Sequence, residues 1–298
     1  MSAATGTAGA PSIDHKPGFD RDRLVGWIFG GFLAFSLVIS FVVLGALLYD
    51  VFSKGIGELT WDFLTRPPSS LPERAGARPA ILGTIYLMLL LIALTVPIGV
   101  GTAVYLEEYA NRERWYNRWL EVNIQNLAGV PSIVYGILGL AFLVRGLNLG
   151  RVLLAGALIL TLLVLPTVIV ASREALRAVP DTIRQGAFAL GATRWQVVSR
   201  QVLPAAIPGI ATGSILALAR AIGETAPLLL VGALAFISFN PTLLGDFTAL
   251  PIQIFQWISK PQEEFRLKAA AAIIVLLALL LVLNGFAVWL RHRYQKRW

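Results

Sequence analysis

Apolar and polar residues fall in long blocks along this chain, not in the short alternations of a soluble fold. Six apolar runs stand out, at 24–48, 80–106, 122–144, 149–171, 205–235 and 269–290. Each is long enough for the roughly 20 residues that cross about 30 Å of hydrocarbon. The pattern predicts an all-α integral membrane protein with six transmembrane helices in one domain, 24–298. The third run is the weakest, because Asn123, Gln125 and Asn126 open it, and the fifth is interrupted by Arg220 and Glu224. Prolines 97, 131, 166, 208 and 227 lie inside the runs and predict kinks, which membrane helices tolerate when neighbours satisfy the freed carbonyls. Residues 1–23 are polar and rich in small side chains and read as a disordered cytoplasmic segment. The first apolar run is too long for a secretory signal and lacks a clear cleavage site, so it reads as a retained span. No internal repeat is visible.

The polar stretch between the fourth and fifth runs is patterned in a different way. From Pro180 to Gly209 it reads PDTIRQGAFALGATRWQVVSRQVLPAAIPG. Thr182 and Gln185 have capping-box spacing, Thr193 and Gln196 repeat it, and Gly191 lies where a first helix would end. Ile183, Ala187 and Leu190 form one apolar stripe, and Trp195, Val198 and Val202 form a second, with Arg184 and Gln185 off the first and Arg194 and Arg200 free to stay wet. Leu203-Pro204 closes the hairpin where the chain re-enters the membrane. The loop at 173–204 is thus a helix-turn-helix, either docking a soluble partner or lying along the bilayer interface.

Composition narrows the classes. The chain is 56% hydrophobic and 14% charged, against roughly 25% charged for soluble domains, so lipid must cover part of it. Its net charge of +8 is spread over loops and forms no basic stripe, which excludes nucleic-acid binding. Without cysteine, and with only His15 and His292, both terminal, disulfides, thiolate chemistry and an intramembrane histidine metal site are excluded. Placing both termini in the cytoplasm puts fifteen of the 25 lysines and arginines inside and nine outside, the bias that the positive-inside rule favours. The hairpin is then cytoplasmic.

Arg220 and Glu224 are one helical turn apart and can pair. A charge in the membrane core costs about 2.5–3.5 kcal/mol on insertion scales, so the alternatives are a structural ion pair and a cation presented to an anion on a translocation path. The planar guanidinium fork suits a tetrahedral oxyanion. Gly223 and Pro227 predict a local break, and Thr225 offers either a further donor or a back-bond to the preceding turn.

These residues carry a resemblance. Gln185-Gly186-Ala187, Gly191 and Gln201-Val202-Leu203-Pro204 resemble the EAA loop of ABC-importer permeases. Ala187, Gly191, Leu203 and Pro204 match that pattern, while Gln185, Gly186 and Gln201 replace the usual Glu, Ala and Ile. GVPSIVYGILGL, ALGATRW and ALARAIGETAPLLLVGA resemble permeases of the phosphate-specific ABC transporter, the A-type more than the C-type. The resemblance implies a type I importer permease in a bacterial or archaeal cytoplasmic membrane. It also implies a C-type permease partner, two ATPase subunits and an extracytoplasmic phosphate-binding protein. ATPase coupling would use Gln185, Ala187, Gly191, Thr193, Trp195, Leu203 and Pro204, and the substrate pathway Arg220, Glu224 and Thr225. No GxxxxGK[ST] loop is present, so no cofactor is expected on this chain, and ATP and Mg belong to the ATPase. The competing readings are a permease for sulfate, molybdate or phosphonate, a passive anion channel, and an integral membrane enzyme, for which the residues form no site.

Three further features are read as structural. Glu107, Glu108, Arg112, Glu113, Arg114 and Arg118 look like a solvated face with internal pairing. The stretches 53–79 and 236–268 are long enough to meet a binding protein, and Trp61 and Trp257 look like interfacial anchors.

Overall fold

The computed structural model describes residues 21–111, 113–231, 237 and 239–294. The polar segment expected at 1–23 lies outside the described residues up to position 20. The first helix, α1 (Arg21–Gly55), starts at Arg21. Its 35 residues, at about 1.5 Å each, exceed the hydrocarbon thickness. Within it the Ser40 hydroxyl donates to the Ser36 carbonyl at 2.9 Å, so that polar group stays satisfied inside an apolar helix. The described residues divide at Asp50 and Val51 into two separate units.

The second unit is a helical bundle. Its long members are α3 (Arg78–Val104), α6 (Leu153–Arg177), α9 (Leu203–Ile222) and α12 (Glu263–Tyr294). Shorter ones are α2 (Trp61–Thr65), α4 (Trp115–Ala128), α5 (Ser132–Gly139), α7 (Asp181–Ala189), α8 (Arg194–Val197), α10 (Ala226–Val231) and α11 (Leu250–Ile258). Among the described residues five helical stretches are long and apolar enough to cross a membrane, and a sixth crossing arises if α4 and α5 count as one span.

Two of the expected spans are not straight helices. The third divides into α4 and α5, bent by 105° at Gly129-Val130-Pro131, where the proline withholds an N–H. Tyr135 spans the bend, its hydroxyl donating to the Leu127 carbonyl at 2.8 Å. The fifth was expected to run to 235, but α9 stops at Ile222. Gly223, Glu224 and Thr225 form a non-helical break before α10, as Gly223 and Pro227 suggested, and residues 232–236 lie outside the described residues.

α6 is the axle of the bundle, packed on α3 and α9 with a face of Leu153, Ala157, Leu160, Val164 and Val168 in the main core. Small residues let α6 and α9 touch backbone to backbone: a β-carbon at Gly209 would meet the Ala175 Cβ at 2.8 Å, and one at Gly213 would overlap the Ala171 Cβ. Close approach of this kind substitutes for a hydrophobic driving force in lipid. Gly213→Val is therefore expected to part the two helices and destabilise the fold by about 1–3 kcal/mol, read as a lower thermal midpoint of the detergent-solubilised protein.

The segment before α11 folds over the start of α6. Carbonyls of Gly245 and Leu243 accept from Leu153 and Leu154 N–H, each at 3.1 Å, supplying the cap that Val152 lacks. Phe247 is buried in the main core, and Trp257 is 1% exposed against Phe63, with ring centroids 5.9 Å apart. Trp257 is thus a core residue and no interfacial anchor, because α11 folds back against α12; Trp61 is exposed. Lys268 joins the first loop to α12 through Glu58 at 2.6 Å. Nearby, the Lys260 Nζ lies 3.6 Å from the Phe265 ring centroid, and burial holds its ammonium below the usual lysine range.

Candidate functional site

The hairpin forms at one end of the bundle. Its first arm, α7, begins two residues earlier than the Thr182 box requires. Pro180 occupies the N-cap position without a side-chain bond, so Thr182 falls inside the first turn and the box with Gln185 does not form. Asp181 favours this earlier start, its carboxylate lying at the positive end of the helix dipole. The arm ends as expected: Gly191 has φ +78°, Gly191 N–H donates to the Phe188 carbonyl at 2.9 Å and Ala192 N–H to that of Ala187 at 3.1 Å. This is a Schellman closure, which favours glycine. The Thr193 box is complete: Gln196 N–H donates to Thr193 Oγ1 at 3.4 Å, and Thr193 N–H to Gln196 Oε1 at 2.8 Å.

The second arm does not end at Leu203-Pro204. α8 passes through a π-helical turn, Val198–Val202, into α9, giving one rod from Arg194 to Ile222. Pro204 lies two residues beyond this π turn, so its missing N–H falls where the α-helical hydrogen-bond ladder is already interrupted. Leu203 packs on the core beneath the hairpin.

Both apolar stripes are split by the structure. Ile183, Ala187 and Ala192 pack inward on Leu176, Val179, Val197 and Val202. Leu190 and Trp195 turn outward instead, 89% and 67% exposed, beside exposed Phe188. Gln185, Gly191, Thr193 and Pro204 are exposed as well. Between the arms lies a groove of about 500 Å³, lined in part by Thr182, Gly186, Gln196 and Arg200. The capped hairpin thus exposes three apolar side chains beside a groove.

Arg220 and Glu224 meet as their spacing suggested, loosely: Arg220 Nε lies 3.7 Å from Glu224 Oε1. The arginine side chain is 80% exposed and the glutamate 19%, so one carboxylate edge steadies a guanidinium that keeps most of its donors open. They line a pocket of about 230 Å³ whose opposite wall is the α4–α5 elbow, Gly129 to Ser132, with Thr167 of α6 between them. Thr225 does not line it, and its hydroxyl bonds back to the Gly223 carbonyl at 3.4 Å. The hydroxyls of Ser132 and Thr167 are site members that sequence reasoning missed. Only the bend of α4–α5, which has no spacing signal, brings Ser132 opposite Arg220.

The acidic loop departs furthest from expectation. Glu107 and Glu108 lie in a π-helical turn, Tyr105–Tyr109, that ends α3, and their side chains are 4% and 10% exposed. These two are no part of a solvated face, whereas Glu113, Arg114 and Arg118 are exposed as expected and Arg112 lies outside the described residues. Glu107 Oε1 accepts from Arg173 Nε and lies near Arg177 Nη2, both at 2.7 Å. Arg173 Nη2 reaches Glu121 Oε1 of α4 at 2.6 Å. Arg184 was expected off the packed stripe, but its side chain is 17% exposed and pairs with Glu108 at 2.9 Å. It also donates to the Val179 and Leu176 carbonyls at 2.7 and 2.9 Å, capping the end of α6. Basic partners 52–76 residues away left no local trace in the sequence.

Residues 95–296 match the family of binding-protein-dependent transport system inner membrane components. The chain belongs to that family. Its relatives include the phosphate transport system permease protein PstA 1 of Mycobacterium tuberculosis (strain CDC 1551 / Oshkosh), 34% identical over 93% of this chain and 92% of the relative. The probable ABC transporter permease protein YqgI of Bacillus subtilis (strain 168) is 32% identical over 79% of each chain. Among solved structures, a bacterial alginate ABC transporter chain aligns with a TM-score of 0.66 at 17% identity, covering 93% of this chain and 98% of that one. The MetNI methionine transporter aligns at 0.57 and 18%, covering 73% and 94%. The fold is that of a type I importer permease, and this family member is a multi-pass transport component, not an enzyme.

Proposed function

We propose that this permease subunit carries inorganic phosphate inward across a bacterial or archaeal cytoplasmic membrane, driven by ATP hydrolysis in separate subunits. Both termini and the hairpin lie in the cytoplasm. One of two ATPase copies seats on Phe188, Leu190 and Trp195. A C-type permease completes the pathway around Arg220, and an extracytoplasmic binding protein delivers phosphate. The chain itself binds no cofactor, and ATP and Mg act on the ATPase.

The observation that carries this reading is a cation and a carboxylate together at the edge of one pocket, in a chain whose relatives include a phosphate permease. Arg220 offers paired donors to a tetrahedral oxyanion. An ionised carboxylate accepts hydrogen bonds but cannot donate them. Glu224 therefore suits hydrogen phosphate, which presents a hydroxyl, and repels fully ionised sulfate, a built-in bias against the wrong anion.

Proteoliposomes holding the four components test it. ATP-driven uptake of labelled phosphate is expected to persist under excess sulfate. Uptake abolished by sulfate, or hydrolysis without phosphate uptake by an assembled complex, overturns the substrate and leaves the permease.

A further inference from the structure

The charged residues at the hairpin end of the bundle have no role in the pocket or on the docking surface, yet they are among the most buried charges described. Arg173 is 6% exposed and its guanidinium bridges two carboxylates: Nε to Glu107 and Nη2 to Glu121. Desolvating such groups is costly, and apolar side chains of similar volume would hold helices together at least as well. What an ion cluster adds is one defined alignment of the elements that carry it. Here those elements are α6, the end of α3 and α4.

The alignment leads somewhere. α4 ends at Ala128, and Ala128 with the elbow that follows it forms the pocket wall opposite Arg220. At the other end, Arg184 of the hairpin holds Glu108, the neighbour of Glu107, and grips the last carbonyls of α6. The pocket therefore has two walls with two separate connections to one hairpin. The Arg220 wall is continuous with the second arm through the Arg194–Ile222 rod. Beside the packing of α4 on α6 and the hydrogen bond from the Tyr105 hydroxyl to Asn117 Oδ1, the elbow wall connects to the first arm through charged side chains, from Arg184 and Glu108 to Glu107, Arg173 and Glu121.

We propose that this cluster is the coupling link for the elbow wall: displacement of α7 reaches α4 through Arg173, and Glu121 is the positioning residue that passes it on. The proposal rests on the ATP-driven permease reading. Coupling of this kind needs a demonstrated dependence, not adjacency alone.

The test is Glu121→Ala in the full complex, reading ATP hydrolysed per phosphate imported. Glu121 is partly exposed, and its loss leaves Arg173 paired with Glu107. Glu174→Ala is the control, since Glu174 is 64% exposed and meets only Arg177 among the ion pairs described. The ratio is expected to rise about tenfold in Glu121→Ala and to stay within about twofold in the control. A ratio within twofold in Glu121→Ala overturns the link. So does an equal rise in the control, which would make the effect one of net charge, or a Glu121→Ala chain that fails to assemble, which would make the cluster a staple of the fold. The wild-type complex run in parallel separates the two readings. If it hydrolyses ATP without moving phosphate, the substrate assignment fails. The link is then read from the stimulation of hydrolysis by the binding protein, which Glu121→Ala should still lose.

Discussion

Arg220→Gln is expected to end phosphate uptake while leaving the protein folded and inserted. The side chain is 80% exposed and its one partner is 3.7 Å away, so glutamine opens no cavity and strands no tightly bound carboxylate. What disappears is the only basic side chain among the described residues that line the pocket. Hydrogen bonds to charged groups are worth about 1.5–3 kcal/mol each. Losing a bidentate pair therefore removes roughly 3 kcal/mol, on the order of a hundredfold in transport at limiting phosphate. Arg220→Lys keeps the charge but loses the planar fork and should fall between. Initial rates of labelled phosphate uptake, normalised to inserted protein, measure both. Normal uptake by Arg220→Gln would retire the residue from the pathway.

Trp195→Asp is expected to have a comparable effect by another route. Trp195 is 67% exposed on the hairpin, so the substitution leaves the bundle intact. It places a carboxylate where the ATPase would bury an aromatic ring. Tryptophan anchors are worth about 2 kcal/mol or more in such contacts, and an unpaired buried charge costs more, so the ATPase should bind at least about thirtyfold more weakly. Co-purification of the ATPase and ATP-dependent uptake should fall together. A passive anion channel would go on conducting, and that result would remove the ATPase dock from the account.

The two sites were unequally legible in the sequence. Helical periods, the Thr193 box and Gly191 are local signals, and each describes the structure it occupies. Arg220 and Glu224 were visible because charges in an apolar run are conspicuous. The second wall of their pocket was not, because Ser132 and Thr167 reach it through the bend of α4–α5 and the packing of α6. Trp195 and Leu190 fit a helical stripe on paper but face outward, since periodicity gives the spacing of a face and not its partner. Glu107 and Glu108 misled for the same reason. A run of charges looks wet until Arg173 and Arg184, brought from distant positions by the fold, close over it.

The rod from Arg194 to Ile222 carries its π turn at Val198–Val202, just inside the hairpin. There the hydrogen bonds reach one residue further than in an α-helix, and the surplus residue can pass to a neighbouring turn without unravelling the chain. In a machine this is a drive shaft with a slip joint next to the gearbox. On the proposed reading it would carry motion to the Arg220 end while absorbing small errors of seating at the other. A hairpin built this way could accept an ATPase whose socket has drifted by a residue, so the engine and the cargo site are free to evolve at different speeds.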